Sequence, residues 1–507
     1  MRRVGSKWVA AAAAALMVVM LAACAPPGGG GAGAASGDTI TIGMVGSSKD
    51  EVQPYSQQGS VSGGAIYKQV YEGLTATDPK GKVQYVLAES MTPNEALDVW
   101  TVKLRDGVTT HAGKPFTAED AVESIRWMVD PENAWAFATQ IGFVDPEGLT
   151  VVDDLTFEMK LNRPYGPVPD AFAMDRILMR SLNGASEAEP AGTGPYTVES
   201  FTAGQEAQLT AFDGYWGDPA TVKNVKFSFF QDQQSVTNAL RGGQINVAHG
   251  IPFTDVPALE NEPGVHLLVS DTASYPIMSM NMDTPELSDP KVREAMRLIV
   301  DRDEIVANAF GGYATVANDF IGKNTSCPTP DVPQREQDLD RAKELLAEAG
   351  AENLSVELVT DGAFPGMMEM AQLFAQEAAD AGVTVSVKKL DVATFLNRWG
   401  EWPFHVGFTS SPYLLTATSH FLPGGSENTT HMDDAEYNQL ADQLYRTVDP
   451  AAQCEFVTKM QQIEHERGGD IVPVYGNDIV AYRDGVNGLT EDLYGRAAMN
   501  LDGVTVG

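Results

Sequence analysis

A chain of 507 residues, 43% of them hydrophobic, lies well beyond the roughly 250–300 residues at which a single core stops growing, so at least two lobes are expected. Its formal charge of −35, from 69 acidic against 34 basic side chains, excludes nucleic acid and anionic lipid headgroups as electrostatic partners. The acid is spread along the chain, as a solubilising surface requires, and does not gather into a tract.

Arg2, Arg3 and Lys7 precede and flank the start of an uncharged run, residues 8–23, that ends in Leu21, Ala22 and Ala23 before Cys24. A basic start, a short apolar run and small residues before a cut make a secretory signal, shorter than the ~20 residues a membrane-spanning helix needs. The Leu-Ala-Ala-Cys run resembles the lipobox of bacterial lipoproteins. That implies cleavage after residue 23, acyl chains on Cys24, and anchoring at the extracytoplasmic face of the cell membrane. Residues 24–37 are rich in Gly, Ala and Pro, have nothing to bury, and read as a flexible tether. No second long apolar run follows, so the remainder is expected to be globular and not membrane-spanning. Cys327 and Cys454 are the other cysteines. An extracytoplasmic location permits them to pair, and sequence leaves open whether they do. No CxxC or His-Cys cluster suggests a zinc site.

A strand over Thr39–Val45 opens the folded part. Short alternating runs follow to about residue 180, with one clear helix that starts at Thr117. Asp120 completes a capping box there, and Ala121, Val122, Ile125 and Met128 share one face. Residues 222–230 read as a further strand. The second half is more helical. Asp289 and Pro290 cap and start a helix through residue 300, and residues 338–349 are amphipathic. Residues 354–360, 366–381 and 383–390 form a strand–helix–strand unit that predicts parallel strands joined by a right-handed crossover. Helices over 434–448 and 450–467 follow, then a strand-like run over 471–482. Met278, Met280 and Met282 alternate with Ser279 and Asn281, which predicts a strand with one apolar face. No repeat of 20–50 residues suggests a solenoid or propeller.

The stretch WTVKLRDGV and then TTHAGKPFTAEDAV, residues 100–122, resembles the signature of extracellular solute-binding protein family 5, the large binding components of ABC importers for peptides, nickel and oligosaccharides. Thr110 stands where the family usually has an aromatic residue, and Ala112 where it has Asp. Further matches follow in order: GTGPY at 192–196, YWG at 215–217, the pair DPKVREAM at 289–296 and DRDEIV at 301–306, and VAYR at 480–483 with VNG at 486–488. The resemblance covers about residues 39–490. It implies an α/β, two-lobed periplasmic-binding-protein-like fold (type II, cluster C) with an extra subdomain in the first lobe. Residues 38–265 plus 480–507 would form the first lobe, with the subdomain inserted at about 66–180, and residues 266–479 the second. It also implies ABC permease subunits as partners, with the ATPase on a separate cytoplasmic chain, and no cofactor.

Other chemistries find little support in the sequence. No third glycine extends Gly192 and Gly194 into a phosphate loop. Ser386-Val387-Lys388-Lys389 falls in an expected strand, where a Ser-x-x-Lys nucleophile needs a helix. Hydrolysis by two acids distant in sequence is left open by motif alone. His111 belongs to the family turn, and a structural imidazole is the expectation. His405, His420 and His431 are irregularly spaced for a metal or metal chelate.

In peptide-binding members of the family, a segment resembling G-W-x-x-D-x-x-D-P holds the free amino group of the ligand on its first Asp. Here the matching span is 404–421, and the Asp position falls within 411–414, placed at Leu414. No acid occurs between Glu401 and Glu427. A buried ammonium without a counter-charge is strongly disfavoured, so a free peptide amino terminus cannot be held in the usual way. The same span is aromatic, with Trp399 and Trp402 leading into Phe404, Phe408, Tyr413 and Phe421, and Ser410 offers a neutral hydrogen bond. Flat rings suit sugars or large apolar groups. The expected ligand-binding set is therefore Tyr55 from the first lobe with Trp399, Trp402, Ser410, Tyr413, Leu414 and His420 from the second. A peptide-like solute is expected first, and an oligosaccharide or other neutral solute second.

Overall fold

The computed structural model describes residues 37–55, 61–135, 137–181 and 191–507; the expected signal, Cys24 and the tether up to residue 36 lie outside the described residues. Three sheets carry most of the strands. A seven-stranded sheet runs in the order Val265–Ser270, Asp478–Arg483, Val247–Ala248, Thr39–Val45, Asn224–Phe230, Glu206–Ala211, Tyr196–Thr202. A five-stranded sheet runs Thr384–Lys389, Ser355–Thr360, Phe404–Thr409, Tyr275–Met280, Asp470–Ile471. A four-stranded antiparallel sheet, Ala88–Pro93, Val99–Leu104, Thr156–Leu161, Val144–Asp153, stands apart from both. Among the described residues no helix is long and apolar enough to cross a membrane. The molecule is mixed α/β in two lobes, with the small sheet as an additional layer.

The helix after the first signature stretch spans Ala118–Val129, and its capping box forms as the sequence predicts, with the Thr117 N–H donating to the Asp120 carboxylate at 3.0 Å. The second half follows its pattern closely. Asp289 accepts from the Lys291 N–H at the head of Pro290–Leu298. Ser355–Thr360 and Thr384–Lys389 pair in parallel across the helix Met367–Asp380. Ser386 therefore sits in a strand. Tyr275–Met280 differs from expectation, because all six residues are buried: Met278 and Met280 face the helices of the second lobe, while Ile277 joins the core shared with the small sheet. A central strand covered on both sides has no solvent face to alternate with.

The run over 471–482 is not one strand but parts of three. Asp470–Ile471 ends the five-stranded sheet, Val474–Gly476 pairs with Ala314–Val316, and Asp478–Arg483 enters the seven-stranded sheet. Pro473 interrupts the first pairing, since it has no N–H to give a ladder, and its carbonyl instead accepts from Ala317. The chain thus changes sheet here. It does so once more between Val265–Ser270 and Tyr275–Met280. The two crossings touch: Thr272 Oγ1 donates to the Gly476 carbonyl at 2.6 Å, and the Gly476 N–H to that of Ser274 at 2.9 Å.

Candidate ligand-binding seam

Two signature stretches prove to be one locked corner. The His111 N–H donates to the Gly192 carbonyl at 2.9 Å, its Nε2 lies 2.9 Å from the Gly194 carbonyl, and its Nδ1 lies 3.3 Å from the Gly192 N–H. Both glycines press on the helix Val61–Val70: a Cβ at Gly192 would fall onto the Val70 carbonyl, and one at Gly194 onto that of Gln69. The glycines serve backbone approach and not a phosphate. The YWG stretch is tied to the same corner, because Tyr215 Oη and Trp216 Nε1 each donate to Glu72 at 2.9 Å. Burial raises the Glu72 carboxyl to about 7.

The second-lobe wall is built on the strand Phe404–Thr409. Phe404, Val406 and Phe408 pack on the helical side, while His405, Gly407 and Thr409 point the other way. Trp399 lies over this opposite face, 5.1 Å from the His405 ring, and a Cβ on Gly407 would meet its indole at 3.3 Å. Burial holds His405 near 3 and His420 near 4, so both imidazoles are neutral. His420 Nε2 lies 3.2 Å from Thr409 Oγ1. His431 is far from this pair in role, bonded to Asp283 and to the Gly400 carbonyl. Among the described residues no group of three or more metal-ligating side chains comes together.

Beyond the strand, Asn324 pins the chain at both ends of a short bend, its Nδ2 donating to the Ser411 carbonyl at 2.5 Å and its own carbonyl accepting from the Tyr413 N–H at 2.8 Å. Tyr413 then turns inward. Its hydroxyl donates to Glu464 Oε1 at 2.7 Å, which also accepts from Tyr437 at 3.1 Å, while Oε2 accepts from the Ile321 N–H at 3.0 Å. Burial pushes Glu464 up to about 7, against the pull of those three donors. Cys327, three residues from Asn324, is joined to Cys454 in a disulfide.

The structure therefore divides the expected ligand set. Trp402 and Tyr413 are buried, and Trp402 Nε1 is spent on the Phe395 carbonyl at 3.1 Å. Trp399, Ser410, Leu414 and His420 are half-buried on the wall, with Leu414 packed at the margin of the shared core. Tyr55 is buried in that same core across the seam, its hydroxyl donating to the Leu178 carbonyl at 2.9 Å. Its ring stacks on Trp127 at 4.6 Å and meets Trp135 edge-on at 6.2 Å. The Arg180 guanidinium sits 4.8 Å from the Tyr55 ring and 5.4 Å from Trp127. Nothing in the sequence pattern singles out Trp127, Trp135, Arg180 or Glu464. Trp127 looks like any aromatic on an amphipathic helix, and Arg180 ends an otherwise apolar stretch.

The two sides meet directly. Tyr165 stacks between Phe143 at 4.1 Å and Tyr445 at 5.1 Å, and the Gly166 N–H donates to the Tyr445 carbonyl at 2.6 Å. A cavity of about 360 Å³ opens beside this stack, lined by Thr139, Gln140, Phe143 and Arg163 on one side and by Leu415 and Thr418 on the other. A seam lined by aromatic rings together with hydrogen-bonding side chains such as Gln140, Asn162, Arg163 and Thr418 is the kind of concave surface that takes a small solute.

Comparison with known proteins makes this specific. The model of the bacterial extracellular solute-binding proteins, family 5, matches residues 82–422. The chain belongs to that family, and it is a solute-binding protein of the ABC-importer type. It is 25% identical over 448 residues, 83% of this chain and 85% of the relative, to the glutathione-binding protein GsiB of Shigella flexneri. Its fold resembles NikZ from Campylobacter jejuni, solved with Ni(L-His), with a TM-score of 0.80 at 21% identity over 92% of this chain and 99% of that one. It also resembles DppA from Helicobacter pylori, solved with the peptide STSA, with a TM-score of 0.79 at 20% identity over 93% and 98%.

Proposed function

We propose that this chain is a lipid-anchored binding protein that captures a peptide or peptide-like solute in the seam and delivers it to an ABC permease driven by a separate cytoplasmic ATPase. The likeness to a glutathione-binding protein across most of both chains carries the peptide-like reading. Trp399, Ser410, Leu414 and His420 on one wall, and Tyr55 with its aromatic neighbours on the other, would contact the solute. The oligosaccharide alternative rests on the aromatic rings of the second wall. It is weakened by Trp402, Tyr413 and Phe421 being buried in the core, where no sugar face reaches them. The protein does no chemistry on its solute.

The proposed division is a first lobe of residues 38–265 plus 480–507 and a second of 266–479. The inserted subdomain is placed at about residues 66–180, with Ile66, Tyr67 and Val70 at its start packed in the first-lobe core. Solute bound between the lobes would favour the closed arrangement through contacts made only there. Thermal-shift screening of the purified protein against peptides, oligosaccharides and metal chelates tests the reading. A ligand at about 100 times its dissociation constant stabilises by roughly 2.7 kcal/mol. Binding of sugars or chelates in place of peptides overturns it. Cys24→Ala tests the anchor, and a variant that stays in the membrane fraction with its signal normally cleaved refutes it.

A further inference from the structure

On the first-lobe side the aromatic cluster holds a cation that has no ion pair among the described residues. Among the described residues Arg180 has no carboxylate partner; its guanidinium carbon lies 4.8 Å from the Tyr55 ring centre and 5.4 Å from that of Trp127. Stacking uses the face of a guanidinium and leaves its in-plane N–H groups free to bind a planar anion. Its backbone, by contrast, is fixed, with the Arg180 N–H donating to Ser124 Oγ and the Arg180 carbonyl accepting from it, both at 3.1 Å. Trp135, edge-on to the same Tyr55 ring at 6.2 Å, is 3% exposed, and its Nε1 has no hydrogen-bond partner among the described residues. A buried donor left unpaired costs about as much as a lost hydrogen bond, and an acceptor supplied by a ligand removes that cost.

The span that builds the opposite wall, residues 402–426, carries no lysine, arginine or acid. No acid occurs between Glu401 and Glu427, and His405 and His420 are neutral. In a protein of formal charge −35, an arginine with no ion pair among the described residues, set over a buried aromatic cluster, is an attractor for negative charge. We infer that the solute carries a carboxylate, held by Arg180 and the Trp135 indole N–H, with the adjoining part of the solute against the aromatic cluster. This inference rests on the peptide-like reading and narrows it: recognition is directed at the acidic end of the solute and not at an ammonium.

The test compares calorimetric titrations of the full-length mature protein with tripeptides bearing a free terminal carboxylate and with the same tripeptides amidated there. Each is used with a free and an acetylated amino end. Amidation is expected to weaken binding about tenfold to a hundredfold, as loss of a charge-assisted pair does, whereas acetylation leaves it within about threefold. Arg180→Gln should lower affinity for the carboxylate form by a similar factor and leave the amidated form unchanged. Arg180→Lys should recover part of the loss, since it keeps the charge without the planar fork. Unliganded melting of both variants shows whether they are folded. Equal binding of amidated and free forms, or an Arg180→Gln variant that binds as the parent does, overturns the inference and leaves peptide capture intact. Failure of every tripeptide to bind overturns both readings together.

Discussion

The two walls of the seam use buried polar chemistry in opposite ways. On the second-lobe side the charge is internal: Glu464 satisfies Tyr413, Tyr437 and the Ile321 N–H, and the surface it supports is neutral. On the first-lobe side Arg180 has no such partner among the described residues, and the cluster beneath it is aromatic. A polar group whose hydrogen bonds close within the protein shapes a wall; one whose bonds stay open is available to a solute. Glu464 and Arg180 should therefore respond differently to mutation, the first in stability and the second in affinity.

The largest effect is expected from Glu464→Ala, which strands three buried donors at once. Loss of about 3–5 kcal/mol in denaturant unfolding is predicted, against less than about 1 kcal/mol for Arg180→Gln, whose side chain forms no ion pair among the described residues to lose. Equal losses for the two would erase the contrast between the walls. Opening the Cys327–Cys454 link by Cys327→Ser with Cys454→Ser comes next. It frees a loop of 127 residues and should cost about 2–4 kcal/mol, and it should loosen the bend at Asn324 more than the first-lobe cluster. Hydrogen exchange measured on both walls checks that.

A pH series on Glu464→Gln sharpens the same point. Burial raises the folded pKa of Glu464 to about 7, against an ordinary value of about 4.5, so the folded state holds the proton that the unfolded chain gives up. Its contribution is present below about pH 4.5 and is lost as pH rises toward 7, worth roughly 3 kcal/mol across that window. The parent's advantage over Glu464→Gln should shrink from pH 5 to pH 8, and a constant difference would show that Glu464 is ionised throughout. The smallest effect is expected from Leu414→Asp. A carboxylate on the neutral wall should improve binding of free-amino peptides several-fold over their acetylated forms. No change would place Leu414 away from the solute.

Much of the frame could be read before the structure. Asp120 three residues after Thr117, Pro290 after Asp289, and the strand–helix–strand period over 354–390 are local signals, and local signals fix local elements. The ordered motifs gave the family, although their reason appeared only in three dimensions, where His111, Gly192 and Gly194 close on one helix. The walls were less legible. Trp402 and Tyr413 look alike in sequence as candidates for a ligand, yet both are turned to the core by partners far along the chain, Phe395 and Glu464. Arg180 was missed because a cation's lack of a partner is a property of its surroundings, which sequence does not list. The run over 471–482 reads as one strand because Ile471, Val472, Val474, Tyr475, Ile479, Val480 and Tyr482 are strand formers, although Pro473, Gly476, Asn477 and Asp478 interrupt them. Only the change of sheet around Pro473 and Gly476 separates it into three.

That change of sheet also bears on modularity. The five-stranded sheet is entered after Ser270 and left before Asp478, and at these points the two connecting segments are hydrogen-bonded to each other, Ser274 to Gly476. The intervening chain begins and ends at one place on the host, like an appliance on a two-pin plug. Exchanging it for the corresponding stretch of a relative would need only two splice points a few ångströms apart, leaving the seven-stranded sheet and the residues of the Arg180 cluster unchanged in sequence. A chimera of that kind would inherit one wall from each parent, so its ligand preference would reveal which wall dictates selectivity.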